Sequence, residues 1–444
     1  MRQLIVILSI TSIFMGAIFA QGDDPVEIGN RRELFLDDLL VDGLEGEARR
    51  VFHRPVPREV VLTFDKPWEG DTCGYITVIQ DGDLYRMWYR ASGTRSGSSY
   101  AYAESPDGIH WRRPNLRLHE FQGCMDNNIV IAGPRAPGTS DFAVFKDDNP
   151  EAPPEARYKA VGLKLGPGTW QEATKELAVF QSPDGLGWTE VEGASLLDDG
   201  FFDSQNLAFW DTNIAAYRIG MPKMYNDRGA ATQEFVTPAI AQMPDAEERA
   251  KRYENWKRFS PLSETHLMWS RDGLNFDLAP SAFITPGPER PSSWTYSDAV
   301  AWHLVETESV FDGAAPELTL YKMERYYVDA VQLRRYTLRL DGFASIHAPI
   351  AGGELVTPPL VFEGSALSMN FASSAFGSLQ VEIQDADGTP IPSFTLDDSI
   401  ELYGDTVARN AMWKGDPDLS ALAGKPVRLR FVMRDADLYS IKFE

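Results

Sequence analysis

Apolar and polar residues alternate with a period of two along most of this chain, and the alternating runs recur in a fixed order. SYAYAES, ELAVFQS, HLMWS and RYTLRL each read as strands, and each runs into an Asp-Gly pair: Asp107-Gly108, Asp184-Gly185, Asp272-Gly273 and Asp341-Gly342. Asp-Gly between two alternating runs predicts a tight turn that sends the next strand back antiparallel. Upstream, a tyrosine followed by a basic residue recurs at Tyr85-Arg86, Tyr158-Lys159, Tyr217-Arg218 and Tyr321-Lys322. Further upstream, Asp71, Asp141, Asp203 and Asp298 each stand at or just before another apolar run. The unit is therefore Asp-strand, Tyr-basic strand, strand, Asp-Gly turn, strand. Four antiparallel strands in tandem repetition predict a β-propeller.

Four such units can be aligned. The segment RELFLDDLLV (32–41) and the residues after Ala344 are left over, and strands from the two chain ends pairing as a composite fifth blade would absorb them; four complete blades is the alternative. Between Tyr217 and Asp272 the third unit is stretched by an insert at about 222–262. Its core, MPDAEERAKRYENWKRF, has a proline near the start, acids after it and Lys257 and Arg258 near the end, the charge order that suits a helix dipole. From about residue 349 the pattern changes to short strands that end in VRLRFVMRDADLYSIKF, which predicts a β-sandwich. The expected organisation is a signal peptide at 1–20, a five-bladed propeller at 21–348 and a β-sandwich at 349–444, an all-β chain apart from the insert.

Composition narrows the function. The formal net charge of −23 on 444 residues argues against nucleic acid or an anionic membrane as the main partner. Arg2 followed by a mostly apolar stretch to Ala20 reads as a cleaved secretory signal, so the expected location is secreted or periplasmic. Cys73 and Cys124 are the two cysteines; export permits a disulfide between them, and two free, buried thiols is the other reading.

Propeller geometry assigns the candidate chemistry. The aspartate opening each innermost strand points to one rim of the central channel, the insert covers that rim, and the Asp-Gly turns lie on the opposite face. Carboxyl groups converging under a cover are what glycoside hydrolysis needs, one to protonate the leaving oxygen and one to act as base or nucleophile. Asp71 and Asp203 are the candidates for base or nucleophile, and Glu324 in LYKMERYY is the candidate acid, with Glu264 its rival. Asp141, Asp298, Arg90, Arg218, Glu264 and His266 are candidates for binding substrate, and Trp68 and Trp294 for stacking on a sugar ring. No GxSxG, HExxH or glycine-rich phosphate loop is present, and the six histidines are scattered. No cofactor is expected, although the architecture has room for a central calcium.

The stretches YAESPDGIHWRRPNL, FDSQNLAFWD, RRYTLRLDGFASI and GKPVRLRFVMRDADLYSIKF resemble a group of secreted bacterial propellers described as glycoside hydrolase family 32-like or 43-like. The resemblance covers nearly the whole chain from RELFLDD onward. It implies a five-bladed propeller with a C-terminal β-sandwich and activity on a polysaccharide or oligosaccharide. It also implies that Asp71 and Asp141 match the first-blade and second-blade aspartates. The family 32 motifs WMNDPNG, RDP and EC are absent, so no glutamate is matched to the acid. A non-catalytic glycan-binding propeller is the alternative from a different class.

Overall fold

The computed structural model describes residues 24–93, 97–132, 141–167, 173–197, 207–211, 216–220, 246–247, 264–272, 275–285, 301, 303–326 and 330–444. These residues are almost entirely strands and turns. The exceptions are two short 3-10 turns, Pro154–Ala156 and Leu419–Leu422, and a helical fragment at 246–247. That fragment is the described part of the expected helical insert; most of the insert, like the expected signal peptide, lies outside the described residues. No helix among the described residues is long and apolar enough to cross a membrane. The chain divides into two compact units. One is Val51–Ser345, and the other joins the segment ending at Arg50 to Ile346–Glu444.

The first unit contains the repeat. Its first sheet runs Gly74–Asp81, Leu84–Gly93, Gly97–Ser105, Ile129–Ile131, each strand antiparallel to the next. The second runs Ala143–Lys146, Tyr158–Leu165, Lys175–Ser182, Thr189–Leu197 in the same fashion. The third unit is described in two pieces, Leu207–Asp211 with Ala216–Gly220 and Met268–Trp269 with Asp277–Leu278. In the fourth sheet Val305–Thr307, Glu317–Glu324 and Gln332–Arg339 are completed by Val56–Thr63, a strand from the beginning of the chain.

That last pairing makes a composite sheet from the two chain ends, with Val56–Thr63 as its N-terminal strand. It falls in the fourth sheet; three four-stranded sheets and two two-stranded pieces are found among the described residues of this unit. The leftover segment instead belongs to the second unit, where Glu33 and Leu34 pair with Ile441 and Ser440. Phe35 and Leu40 are buried in that unit's core, so burial of these two side chains decides where the segment goes. Residues 344–348, expected within the propeller, pair from Ile346 onward with the final strand.

The sheets of the first unit pack face to face in sequence. Ile79, Trp88 and Tyr102 of the first sheet share a core with Phe142, Tyr158 and Phe180 of the second. Val78, Met87 and Tyr89 share another with Tyr321, Met323 and Leu333 of the fourth. Phe283 and Ile284 of the third unit pack on Leu320 and Leu338 of the fourth.

The recurrent turn joins neighbouring sheets. In SPDGIHW, Ser105 Oγ accepts from Gly108 N (2.9 Å), Asp107 Oδ1 accepts from Ile109 N and His110 N (2.8 Å each), and Trp111 Nε1 donates to Gly108 O at 3.1 Å. SPDGLGW repeats this through Ser182, Asp184 and Trp188. Gly108 O then accepts the Tyr321 hydroxyl of the fourth sheet at 2.7 Å, and Gly185 O accepts Trp88 Nε1 of the first at 2.7 Å. Both glycines have positive φ. A Cβ on Gly185 would lie 2.8 Å from the Trp88 ring, and one on Gly108 would lie 2.9 Å from the Tyr321 hydroxyl. Only glycine fits both demands, the left-handed backbone and the close approach.

The second unit centres on two long antiparallel strands, Leu367–Asp385 and Val427–Phe443. Gly353–Val356 and Leu360–Phe362 pair with the latter, and Val26–Gly29 lies parallel to Leu360–Phe362. Alternating residues of the final strand, including Val427, Leu429, Phe431 and Met433, enter one core. The buried Glu382 accepts from Arg430 at 3.3 Å, from Gln384 Nε2 at 2.8 Å and from Leu396 N at 3.0 Å.

Candidate active site

Strand register fixes which side chains share an end of the sheets. In the first sheet Gly74 pairs with Arg90, and Arg90 with Tyr100, so Asp71, Arg90 and Tyr100 lie at one end. The Asp81–Leu84 turn and the SPDG turn lie at the other end. Asp141 precedes the second sheet's first strand and bonds Leu163 near the end of the next, which puts it at the corresponding end. Glu324 closes the Glu317–Glu324 strand opposite Gln332, at the same end of the fourth sheet. Asp71, Asp141, Arg90 and Glu324 thus occupy the end opposite the SPDG turns.

Contacts across the sheets tie three of these ends together. Arg90 Nη2 donates to the Tyr326 hydroxyl at 2.7 Å and to Thr72 O at 3.1 Å, and the guanidinium stacks over the Tyr75 ring at 4.4 Å. Gly74 abuts the fourth sheet so closely that a Cβ there would lie 3.0 Å from Met323 Sδ. Tyr100 packs edge-on against Phe142, the residue after Asp141, at 5.4 Å. His303, just before the fourth sheet, bonds the main chain of Val144 in the second. Tyr75 and His303 both have positive φ (46° and 71°), an uncommon conformation for such residues. Strained backbone of this kind clusters at functional sites.

The aspartates are buried. Asp71 is 8% exposed and Asp141 2%, and Asp141 Oδ1 accepts Leu163 N at 2.8 Å. Burial, opposed by Arg90 and reinforced by the Asp141 charge, holds the Tyr100 hydroxyl well above its ordinary range. Burial, with Glu69 adding to it, pushes the Cys73 thiol up to about 12, so Cys73 is no nucleophile at neutral pH. Burial pushes His303 down to about 4, which keeps its ring neutral. Both cysteines are free. Cys124 is exposed, which corrects the expectation of two buried thiols.

A separate network holds the turn that carries Asp71. Glu69 accepts Arg113 through both oxygens (2.8 and 2.9 Å) and the Tyr89 hydroxyl at 2.6 Å. Asn128 donates to that hydroxyl at 2.8 Å, and Arg113 reaches Thr63 O at 2.6 Å. Glu69, two residues before Asp71, is therefore locked to the first sheet, to the loop after it and to the closing strand. Trp68, a candidate for sugar stacking, belongs to this network: its indole nitrogen donates to Asn128 at 2.8 Å, and its ring packs edge-on with Phe121 at 6.2 Å.

The other candidates are placed less centrally. Glu324 is buried and committed to Arg334 at 3.0 Å, with the Tyr336 hydroxyl at 3.4 Å. Glu264 and His266 pair with each other at 2.7 Å ahead of the Met268–Trp269 strand. Arg218 lies within Ala216–Gly220 opposite Phe209; its side chain is outside the described residues, as are Asp203, Asp298 and Trp294. No group of three or more histidine, cysteine or acidic side chains suited to a metal gathers among the described residues. Sequence reasoning missed Tyr75, Tyr100, His303, Tyr326 and Arg334. Tyr326 was within reach, because it follows Glu324 by two residues in MERYY at a strand end already assigned to the rim.

Chemically, this end offers three buried carboxylates, one of them paired with Arg334, a guanidinium fixed by a tyrosine on each side and a neutral imidazole. Such a set can accept hydrogen bonds from hydroxyl groups, donate to a ring or linking oxygen, and hold a base in a site of low polarity.

No family model matches the chain. Two Mycobacterium tuberculosis proteins are similar over 131 residues at 29% identity. They are the uncharacterized proteins MT1551 of strain CDC 1551 / Oshkosh and Rv1502 of strain H37Rv. The match covers 28% of this chain and 42% of each relative, so the chain spans less than half the length of these relatives. Among solved structures, the exo-beta-1,3-galactanase of Phanerochaete chrysosporium with galactose matches at 10% identity and a TM-score of 0.24, over 85% of this chain and 99% of its own. The Bombyx mori GH32 beta-fructofuranosidase BmSUC1 in complex with sucrose matches at 9% identity and 0.30, over 86% and 93%. The xylan beta-1,4-xylosidase of Bacillus halodurans matches at 9% and 0.30, over 85% and 99%. These neighbours are glycoside hydrolases, but likenesses this remote do not by themselves carry an activity to the chain.

Proposed function

We propose that this protein is a secreted glycoside hydrolase acting on a polysaccharide or oligosaccharide. In this reading the first unit is a β-propeller whose described blades are the four repeats, and the second is a β-sandwich. The observation that supports it best is the convergence of Asp71, Asp141 and Arg90 with Tyr75, Tyr326 and His303 at one end of three sheets. Asp71 serves as base or nucleophile, with Asp203 as its rival. Asp141, Asp298, Arg90, Arg218, Glu264, His266 and Trp294 line or approach the sugar. Glu324 serves as the acid only if it leaves Arg334, which holds its Oε1 at 3.0 Å and so away from a leaving oxygen.

That ion pair favours the second reading, a glycan-binding propeller without catalysis, which needs the same polar rim and no proton donor. Turnover of a glycan panel by the wild type, Asp71→Asn, Asp203→Asn and Glu324→Gln separates the two. Hydrolysis of one glycan that falls in the Asp71 variant supports the enzyme. Binding that survives all three substitutions, with no turnover by the wild type, sinks it in favour of the binder.

A further inference from the structure

The second unit carries a feature that core packing does not explain. On the Leu367–Asp385 strand, Ser373 pairs with Ala436 and Ser378 with Arg434, so four residues face the single Asp435. The excess chain stands out as a bulge with Phe376 on it, 84% exposed and the most exposed large apolar side chain among the described residues. The bulge is held in shape. A Cβ on Gly377 would lie 2.3 Å from Asp435 O and 2.7 Å from Arg434 O, so only glycine lets the strand return there, and Ser374 Oγ accepts Phe376 N at 3.2 Å. Bulges re-aim side chains and are built features of a sheet.

A second exposed ring lies directly across. Leu402 exchanges both main-chain bonds with Leu379 beyond the bulge, at 2.8 and 2.9 Å. Gly404 O accepts Ser373 N before the bulge at 2.8 Å, and Gly404 N donates to Ser373 Oγ at 2.9 Å. The residue between them, Tyr403, is therefore pinned opposite the bulge and is 69% exposed. Arg409 donates to Tyr403 O at 2.7 Å and lies over Phe371 at 5.9 Å, which adds a cation at the edge of the pair.

We infer that Phe376 and Tyr403 form a glycan-binding platform on the second unit, separate from the candidate active site. The C–H face of a pyranose stacks on the negative face of an aromatic ring, while hydroxyl groups at the ring edge bond to neighbouring polar groups. Two rings present about 300–500 Å², well below the roughly 1,200–2,000 Å² that a stable protein interface buries. The net charge of −23 opposes nucleic acid, the other ligand that stacks on exposed rings. The choice of a carbohydrate occupant rests on the glycan reading of the first unit.

The test is depletion of the full-length protein by insoluble polysaccharides (cellulose, xylan, chitin, levan and β-1,3-glucan), comparing the wild type with Phe376→Ala/Tyr403→Ala, Phe376→Trp and Asp71→Asn. The expected result is retention of the wild type on at least one, weakened about tenfold or more in the double variant. Phe376→Trp should be retained as the wild type is, whereas loss of retention in Asp71→Asn with the double variant unaffected would place the binding on the first unit and overturn the platform. Retention sensitive to the double variant, with no hydrolysis by the wild type, removes the hydrolase reading and leaves the platform standing. Equal retention of the double variant, retention of the wild type on none of the five, or a dimer that the double variant dissociates in sedimentation would overturn the platform.

Discussion

The two ends of the first unit's sheets are built from different materials. At one end, Ser105–Trp111 and Ser182–Trp188 spend their polar groups on their own turn and on one bond to the next sheet. At the other end, Asp71, Arg90, Asp141 and Glu324 are buried or half-buried charges, and residues with uncommon backbone stand beside them. A turn that satisfies itself can be repeated with little cost. A cluster of buried charge is costly to assemble and is retained where it performs chemistry. The self-satisfied turn therefore marks the structural end, and buried charge marks the candidate functional one.

Four substitutions test this difference between the two ends, in order of expected effect. Removing a partner from a buried ion pair leaves the other charge uncompensated, so Glu69→Ala should cost about 3–5 kcal/mol in urea unfolding. A loss under 1 kcal/mol would mean that the turn before Asp71 is not held by charge. Asp71→Asn should lower turnover of the preferred glycan by about 10²- to 10⁴-fold and leave the urea midpoint nearly unchanged; the reverse pattern would make Asp71 structural. At the SPDG end, Gly185→Ala should destabilise by about 1–3 kcal/mol without altering catalysis. Gly82→Ala is its control. Gly82 has similar positive φ and open space around it, so it should cost less, and the difference measures the close approach to Trp88.

The smallest effect is a pH dependence. The folded value of His303, about 4, lies below its ordinary value of 6.5, so the unfolded chain takes up the proton first as pH falls. The stability this residue contributes is complete above the ordinary value and is lost as pH falls from 6.5 towards about 4. His303→Gln should flatten that part of the stability profile. A profile unchanged by the substitution would remove His303 from the buried end of the sheets.

Much of the first unit was legible in advance because its signals are local. Asp-Gly after an alternating run specifies a turn from a few adjacent residues, and Ser105–Trp111 and Ser182–Trp188 fold as that chemistry dictates. The same logic placed Asp71, Asp141 and Glu324 at one end, since strand direction alone fixes it. What each of those side chains touches was not legible. Arg334 reaches Glu324 from the neighbouring strand, Tyr326 reaches Arg90 from another sheet, and Trp68 turns inward to Asn128.

The sequence by itself determined the all-β character, the period of the repeat and the turn that marks it, because alternation and Asp-Gly turns act over a handful of neighbouring residues. The tertiary structure decided which strand completes which sheet. Val56–Thr63 and Glu33–Leu34 are both short alternating segments near the chain start, yet one closes the fourth sheet and the other joins the C-terminal strand. Backbone pairing is open to any strand, so the choice falls to the cores that bury Leu62 on one side and Phe35 on the other.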